Sequence, residues 1–416
     1  MQTALADFIR NTPEGKEADA ILRTCVHCGF CNATCPTYQL LGDELDGPRG
    51  RIYLIKQVLE GQPVTASTQL HLDRCLTCRS CETTCPSGVQ YGRLLDIGRH
   101  VVDQRVARTA ADKATRWTLR RGLLAGPLFG GALAVGRAMK GFLPKALQAQ
   151  VPHVAPSGVW PPRRQPRTML ALEGCVQPSL APNIDAAMAR VLDRIGISLL
   201  RVGGGGCCGA LPHHLDETEQ AKAFARRNID AWWPHISRGA EAIIVTASGC
   251  GVMVKDYGHL LRFDPAYAEK AKRIGALAKD PVEVIAAEWK RIAPTIAMDF
   301  GAQRVAYHPP CSQQHGMKLK GGVEEILLAL GLELTPVANS HMCCGSAGTY
   351  SILQPDLSGR LKANKVAALE AGEPEVIATA NIGCMTHIAG GTRLPVRHWI
   401  ELLDQRMLGG ERAPPA

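Results

Sequence analysis

The sequence predicts an α+β multidomain chain: a helical N-terminal part holding two four-cysteine motifs, followed by two duplicated α/β halves with parallel sheets. Three observations carry this. Cys25, Cys28, Cys31 and Cys35 recur as Cys75, Cys78, Cys81 and Cys85 at a constant offset of 50, and Pro36 recurs as Pro86. Cys175, Cys207, Cys208 and Cys250 recur as Cys311, Cys343, Cys344 and Cys384 at offsets of 136, 136, 136 and 134. From Thr168 onward, apolar strand-like runs alternate with amphipathic helices, the pattern of βαβ units.

The 416 residues, 46% of them apolar, can bury a sizeable core and divide into several domains. The expected boundaries are 1–110 for the helical cysteine domain, 111–167 for a basic Pro- and Gly-rich connector, 168–295 for the first α/β half and 296–416 for the second. Within the first, RIYLIKQVLEG places Ile52, Ile55 and Leu59 on one helix face, and LLDIGRHVVDQRV places Leu94, Ile97, Val101 and Val102 likewise. Each half offers three strands that end in cysteines: TMLALEGC, ISLLRVGGGGCCG and AEAIIVTASGC, then RVAYHPPC, LELTPVANSHMCCG and EVIATANIGC. Parallel strands put their carboxyl ends on one sheet edge, so the four thiols of a half should gather there.

The start, MQTALADFIRNTPEGKEAD, lacks the basic, apolar and small-residue pattern of a signal peptide, so a cytoplasmic, reducing location is expected. All sixteen cysteines belong to the two duplications, and in such a compartment metal ligation suits them better than disulfides. Each N-terminal motif reads C-x-x-C-x-x-C-x-x-x-C-P, the ferredoxin-type pattern for a pair of [4Fe-4S] clusters, in which the fourth cysteine serves the other cluster. Cys25, Cys28, Cys31 and Cys85 should therefore hold one cluster, and Cys75, Cys78, Cys81 and Cys35 the second. Zinc sites instead take ligands in two separated pairs.

The net charge of +9 is concentrated. Between Arg93 and Arg167 there are 14 Lys or Arg against 3 Asp, a local +11 that leaves about −2 for the rest. This stretch matches no DNA-binding module and lacks interleaved aromatics, so nucleic acid is not an expected partner. Its apolar run, Leu123 to Gly136, contains Pro127 and falls short of the roughly 20 residues that span a bilayer. Arg116, Arg120, Arg121, Arg137, Lys140 and Lys145 either hold it at an anionic membrane surface or belong to a connector packed on the chain itself or on a partner. The run Gly204-Gly205-Gly206-Cys207-Cys208-Gly209 matches G-x-G-x-x-G, but Pro212 and two histidines follow where a helix should open, so no nucleotide site is assigned. No other dinucleotide fingerprint, P-loop or Ser-His-Asp order is present, which moves substrate oxidation to another subunit.

Cys207-Cys208-Gly209 and Cys343-Cys344-Gly345 resemble the CCG, or cysteine-rich, domain of heterodisulfide reductases and of several respiratory dehydrogenase subunits. In the fuller pattern each half closes with Cys-x-x-Cys. Here Met253 follows Cys250 and His387 follows Cys384 at that spacing, so neither half has five thiolates, although His387 offers an imidazole. An additional cluster is assigned first to Cys311, Cys343, Cys344 and Cys384, and only after that to Cys175, Cys207, Cys208 and Cys250.

The segments CVHCGFCNATCPTYQLLGDELDGPRGRIYLIKQVLEG, HLDRCLTCRSCETTCPSG, NIDAWWP, TASGCG, SHMCCGSAGTY, TANIGC and VRHWIEL resemble the iron–sulfur subunits of bacterial glycolate oxidases, also called glycolate dehydrogenases. The likeness covers roughly residues 20–105 and 168–403 and does not include the basic connector. It implies an electron-transfer subunit with no catalytic residue of its own, FAD only in partner subunits that oxidise glycolate to glyoxylate, quinone as acceptor, and a peripheral place on the cytoplasmic face of the inner membrane. A flavin takes two electrons and a cluster one, so a series of clusters suits this role. Equivalent subunits of D-lactate or glycerol 3-phosphate dehydrogenases share the build, and a heterodisulfide-reductase-like catalytic CCG subunit is the remaining alternative.

Overall fold

The computed structural model describes residues 1–142, 156–296, 301 and 303–407. In the N-terminal part, helices Pro13–Thr24, Pro48–Leu59, Ala66–Asp73 and Tyr91–Arg105 surround one apolar core. Their starts follow local chemistry. Pro48 opens its helix where a missing N–H costs nothing, while the Thr12 and Thr65 hydroxyls cap theirs by accepting from Gly15 N and Thr68 N. Ile52, Ile55, Leu59, Leu94, Val101 and Val102 are buried as the periodicity predicts, and Ile97 packs at the margin. Burying such side chains contributes about 1.5–3 kcal/mol each, and the cysteine-bearing loops hang from this scaffold.

Each half holds a four-stranded, wholly parallel sheet. The first comprises β1 (Arg167–Ala171), β2 (Ile197–Arg201), β3 (Ile243–Ile244) and β4 (Ala278–Lys279) in the order β2-β1-β3-β4. The second comprises β5 (Arg304–His308), β6 (Glu333–Leu334), β7 (Val376–Thr379) and β8 (Val396–His398) in the matching order β6-β5-β7-β8. The sequence predicts three strands per half; the fourth in each is only two or three residues long and carries no apolar run to announce it. Chain order reverses between β1 and β3 and between β5 and β7, which opens a crevice at the carboxyl ends of those strands. The cysteines follow β1, β2, β3, β5, β6 and β7 into these crevices.

The halves share one core. Ile184, Val191 and Ile244 of the first pack in the same cluster as Val305, Trp399 and Leu403 of the second. Asp404 on helix Trp399–Arg406 accepts from Arg190 at 2.7 Å and Arg194 at 2.8 Å, fixing that helix against helix Asn183–Arg194.

The basic stretch forms two helices, Ala110–Leu124 and Pro127–Ala138. Several of its cations face the chain itself. Arg116 pairs with Asp112 and Asp73, Arg120 with Glu217, and Arg137 donates to the Ser179 carbonyl at 2.9 Å. Trp117 and Phe142 remain exposed nearby. Lys145, and with it residues 143–155, lies outside the described residues. No described helix is long and apolar enough to cross a membrane.

The glycine of each Cys-Cys-Gly triplet is required by geometry. Gly209 and Gly345 have φ of 91° and 90°, and a Cβ on Gly345 would stand 2.7 Å from Ser358 O and 2.9 Å from Leu361 Cβ. Gly209 opens a helix, Ala210–His214, that lasts only five residues. Gly345→Ala is expected to cost about 2–3 kcal/mol in chemical denaturation of the full chain. Gly348→Ala, with φ of 63° but open space around it, should cost about 1 kcal/mol.

Asp280 joins the two halves. Its carboxylate caps helix Pro281–Ala287 at Val282 N and accepts from Gln313 Nε2 at 3.0 Å, two residues beyond Cys311. Burial pushes its carboxyl up to about 7. A folded-state value above the unfolded one means that the unfolded chain releases the proton first as pH rises. The stability Asp280 contributes is therefore full below the ordinary carboxylate range, declines as pH rises and is gone above about 7. Asp280→Asn should flatten the fall of stability with pH between about 4 and 7, read by denaturation at a series of pH values.

Candidate metal centres

The two N-terminal loops curl because each places two residues in the left-handed region. His27 and Gly29 have φ of 59° and 86°, and Thr77 and Arg79, at the matching positions, 52° and 59°. This turns backbone amides inward, and Thr77 N donates to Cys75 Sγ at 3.5 Å. Thr34 and Thr84, fifty residues apart and equivalent in the repeat, meet hydroxyl to hydroxyl at 2.9 Å, the mark of a local two-fold arrangement. The two loops thereby approach each other. One cavity is lined by Cys25, Cys28, Cys31, Cys81 and Cys85, and burial with the neighbouring Cys25, Cys85 and Cys28 sulfurs pushes the Cys31 thiol up to about 11. Cys81 has Cys78, Cys75 and Cys35 as its sulfur neighbours. Four soft sulfur donors converge in each group, the donor set that an iron–sulfur cluster takes.

The groups differ in surroundings. Cys28 is exposed, between the exposed side chains of Val26 and Phe30. The other group sits against a buried polar network that sequence reasoning missed. Arg51, 1% exposed, donates to His71 O at 2.7 Å and Thr37 Oγ1 at 3.1 Å, pairs with Asp46 at 3.4 Å and reaches Cys35 Sγ at 4.0 Å. Arg74 holds the other Asp46 oxygen at 2.8 Å. The Tyr91 hydroxyl donates to Cys75 Sγ at 3.6 Å. A cation and hydrogen bonds beside these sulfurs stabilise extra negative charge, which bears on a cluster's potential. The available signal was Arg51 itself, a charge within the apolar stripe of Ile52, Ile55 and Leu59.

In each half the four sulfurs neighbour one another in sequence: Cys175, Cys207, Cys208 and Cys250, and Cys311, Cys343, Cys344 and Cys384. Gly209 N donates to Cys207 Sγ at 3.3 Å and Gly345 N to Cys343 Sγ at 3.4 Å. Burial and neighbouring sulfur push Cys207 and Cys343 up to about 12. Met253 is buried in the core of the first half. His387 does not join the second group of sulfurs; its Nε2 contacts Ser358 Oγ at 3.2 Å. His308, which sequence reasoning did not single out, instead lies with its ring within 4.8 Å of the Cys344 and Cys384 sulfurs.

The three cysteine-bearing parts meet at one place. Cys311 and Cys343 are buried in one cluster, and Cys78 packs against it. Leu76, Tyr350, Leu357 and Leu361 close over this contact, with Leu40 and Leu41 at its edge. Tyr350 OH donates to Arg74 O at 3.2 Å, and Thr83 Oγ1 meets His315 Nδ1 at 2.8 Å. The first half adjoins the N-terminal domain differently, through polar pairs: Arg93 with Asp256, Arg262 with Glu17, and His213 with Asp96. Between the parts lies a cavity of about 1850 Å³ lined by cysteines of both halves and by Cys78.

Comparison with known proteins agrees with this architecture. Residues 21–89 match the family model "4Fe-4S dicluster domain", and residues 169–255 and 305–389 each match "Cysteine-rich domain". The chain is 54% identical over 409 residues to the glycolate oxidase iron-sulfur subunit of Escherichia coli strain K12, covering 98% of this chain and 99% of that one. It is 29% identical over 416 residues to the probable glycolate oxidase iron-sulfur subunit of Bacillus subtilis strain 168, covering 92% of each. Lactate utilization protein A of Bacillus licheniformis is 29% identical over 244 residues, 56% of this chain and 97% of that protein. With two cross-paired cysteine loops, two cysteine-rich halves and a full-length match, the chain belongs to the family of glycolate oxidase iron–sulfur subunits.

Proposed function

We propose that this chain is the electron-transfer subunit of a membrane-associated glycolate dehydrogenase complex, working beside FAD-bearing subunits that oxidise glycolate to glyoxylate. Cys25, Cys28, Cys31 and Cys85 are assigned to one [4Fe-4S] cluster, Cys75, Cys78, Cys81 and Cys35 to a second, and Cys311, Cys343, Cys344 and Cys384 to a third iron–sulfur centre. When bound, these groups supply one-electron carriers between a two-electron flavin and a distant acceptor, proposed to be quinone.

The observation that carries the reading is the packing of Cys78 against the buried Cys311 and Cys343. It supports a path from exposed Cys28 through the buried group beside Arg51 to the second cysteine-rich half. Arg51, Thr37 and Tyr91 act on the middle site, where they hold negative charge on the Cys35 and Cys75 sulfurs. Exposed Trp117 and Phe142 beside Arg121 and Lys140 support a peripheral membrane contact for the basic helices. Substrate choice rests with the flavoprotein.

Anaerobic iron and acid-labile sulfide analysis with EPR tests this. About twelve irons per chain are expected, falling to about eight in Cys343→Ser and unchanged in Cys207→Ser. About eight in all three would overturn the third centre. A Tyr91→Phe variant should lower the potential of the second cluster and leave the first unmoved, read by EPR-monitored redox titration.

A further inference from the structure

His308 is the last residue of β5, three positions before Cys311. It is 0% exposed, and neither ring nitrogen has a hydrogen-bond partner. A buried imidazole carries one donor and one acceptor, and leaving both unsatisfied is costly, so such a group calls for an explanation. The neighbours supply one. A ring nitrogen of His308 and the sulfurs of Cys344 and Cys384 all lie within 4.8 Å of one another, all three residues buried. Soft thiolates together with an imidazole form a donor set for iron or zinc.

The duplication offers an internal control. Counting back three residues from Cys175 gives Leu172, buried in the apolar core of the first half. A second difference points the same way. Lys365 is 3% exposed, its ammonium donates to Asn339 O at 2.8 Å, and it faces the four sulfurs of the second half. The triplet glycines pack on Ala221 and Ser358, and by that match the first half has neutral Asn228 where the second has Lys365. The second half therefore adds one neutral nitrogen donor and one fixed positive charge to four sulfurs, while the first offers sulfurs alone.

We propose that His308 is a direct nitrogen ligand of the iron centre in the second half, completing a five-donor set with Cys311, Cys343, Cys344 and Cys384. The inference rests on the third centre argued above. The imidazole takes the part of the fifth thiolate that the Cys-x-x-Cys pattern would supply and that this chain lacks. One ring nitrogen meets iron, and the other keeps its proton and can donate to a sulfur. A neutral nitrogen in place of a thiolate leaves the centre less negative, which raises its potential, as in Rieske centres. A high potential suits the far end of an electron path that starts at the exposed Cys28 group.

The test uses the full chain, loaded anaerobically, with and without ¹⁵N-histidine labelling. Pulsed EPR of the signal that is absent in Cys343→Ser should show a strong nitrogen coupling that changes on labelling. The coupling should persist in His387→Ala and vanish in His308→Ala. His308→Cys should retain the signal and lower its potential. A third signal with no nitrogen coupling in the wild type, or a coupling lost in His387→Ala and kept in His308→Ala, overturns the inference and leaves the third centre standing. A wild-type chain with only about eight irons and two signals overturns both.

Discussion

The packing of Cys78 against Cys311 and Cys343 is the point on which the arrangement turns. One partner lies in a loop curled by left-handed Thr77 and Arg79; the other follows a parallel strand whose carboxyl end faces a crevice. Neither element can place a redox group against the other unless the helical domain docks with its second loop on the edge of the second sheet. Apolar side chains from both sides pack at that junction, beside the cavity that both halves line.

The first half has the same topology and the same four sulfurs, but its junction with the helical domain is made of partly exposed ion pairs. Such pairs contribute little and are screened by salt, whereas the second junction gains from apolar burial. The same bias appears inside the halves. His308 and Lys365 stand beside the second group of sulfurs, while Leu172 and Asn228 occupy the corresponding places in the first. Duplication supplied two equivalent crevices, and the substitutions since have made them chemically unequal. The shared core around Ile244, Val305 and Trp399 keeps both halves in one body, so the unequal sites remain at fixed positions.

Much of this was legible from cysteine spacing. The offset of 50 implied the crossing of Cys35 and Cys85, because the ferredoxin-type motif leaves its fourth ligand pointing away from its own loop. The cysteines at strand ends implied a common sheet edge because parallel strands share a direction. Periodicity also located the buried faces around Ile55 and Leu94. What escaped was set by tertiary contact. The fourth strands are too short for a pattern of their own, and Asp46, Tyr91 and the docking leucines acquire their roles only when distant loops meet. The imidazole was sought at His387 because spacing pointed there, but the helix turns that ring to Ser358. Setting the halves side by side, three residues ahead of the first cysteine, would have exposed His308 against Leu172.

The cysteine group of the second half is proposed as the next redox site after the Cys35, Cys75, Cys78 and Cys81 group. Spin relaxation in the fully reduced chain tests it most directly, comparing wild type with Cys344→Ser. The signal of the Cys35, Cys75, Cys78 and Cys81 cluster should relax faster in the wild type, through its paramagnetic neighbour, while that of the Cys25, Cys28, Cys31 and Cys85 cluster should be far less affected. A third signal present in the wild type, with equal relaxation of the second cluster in both proteins, would contradict it.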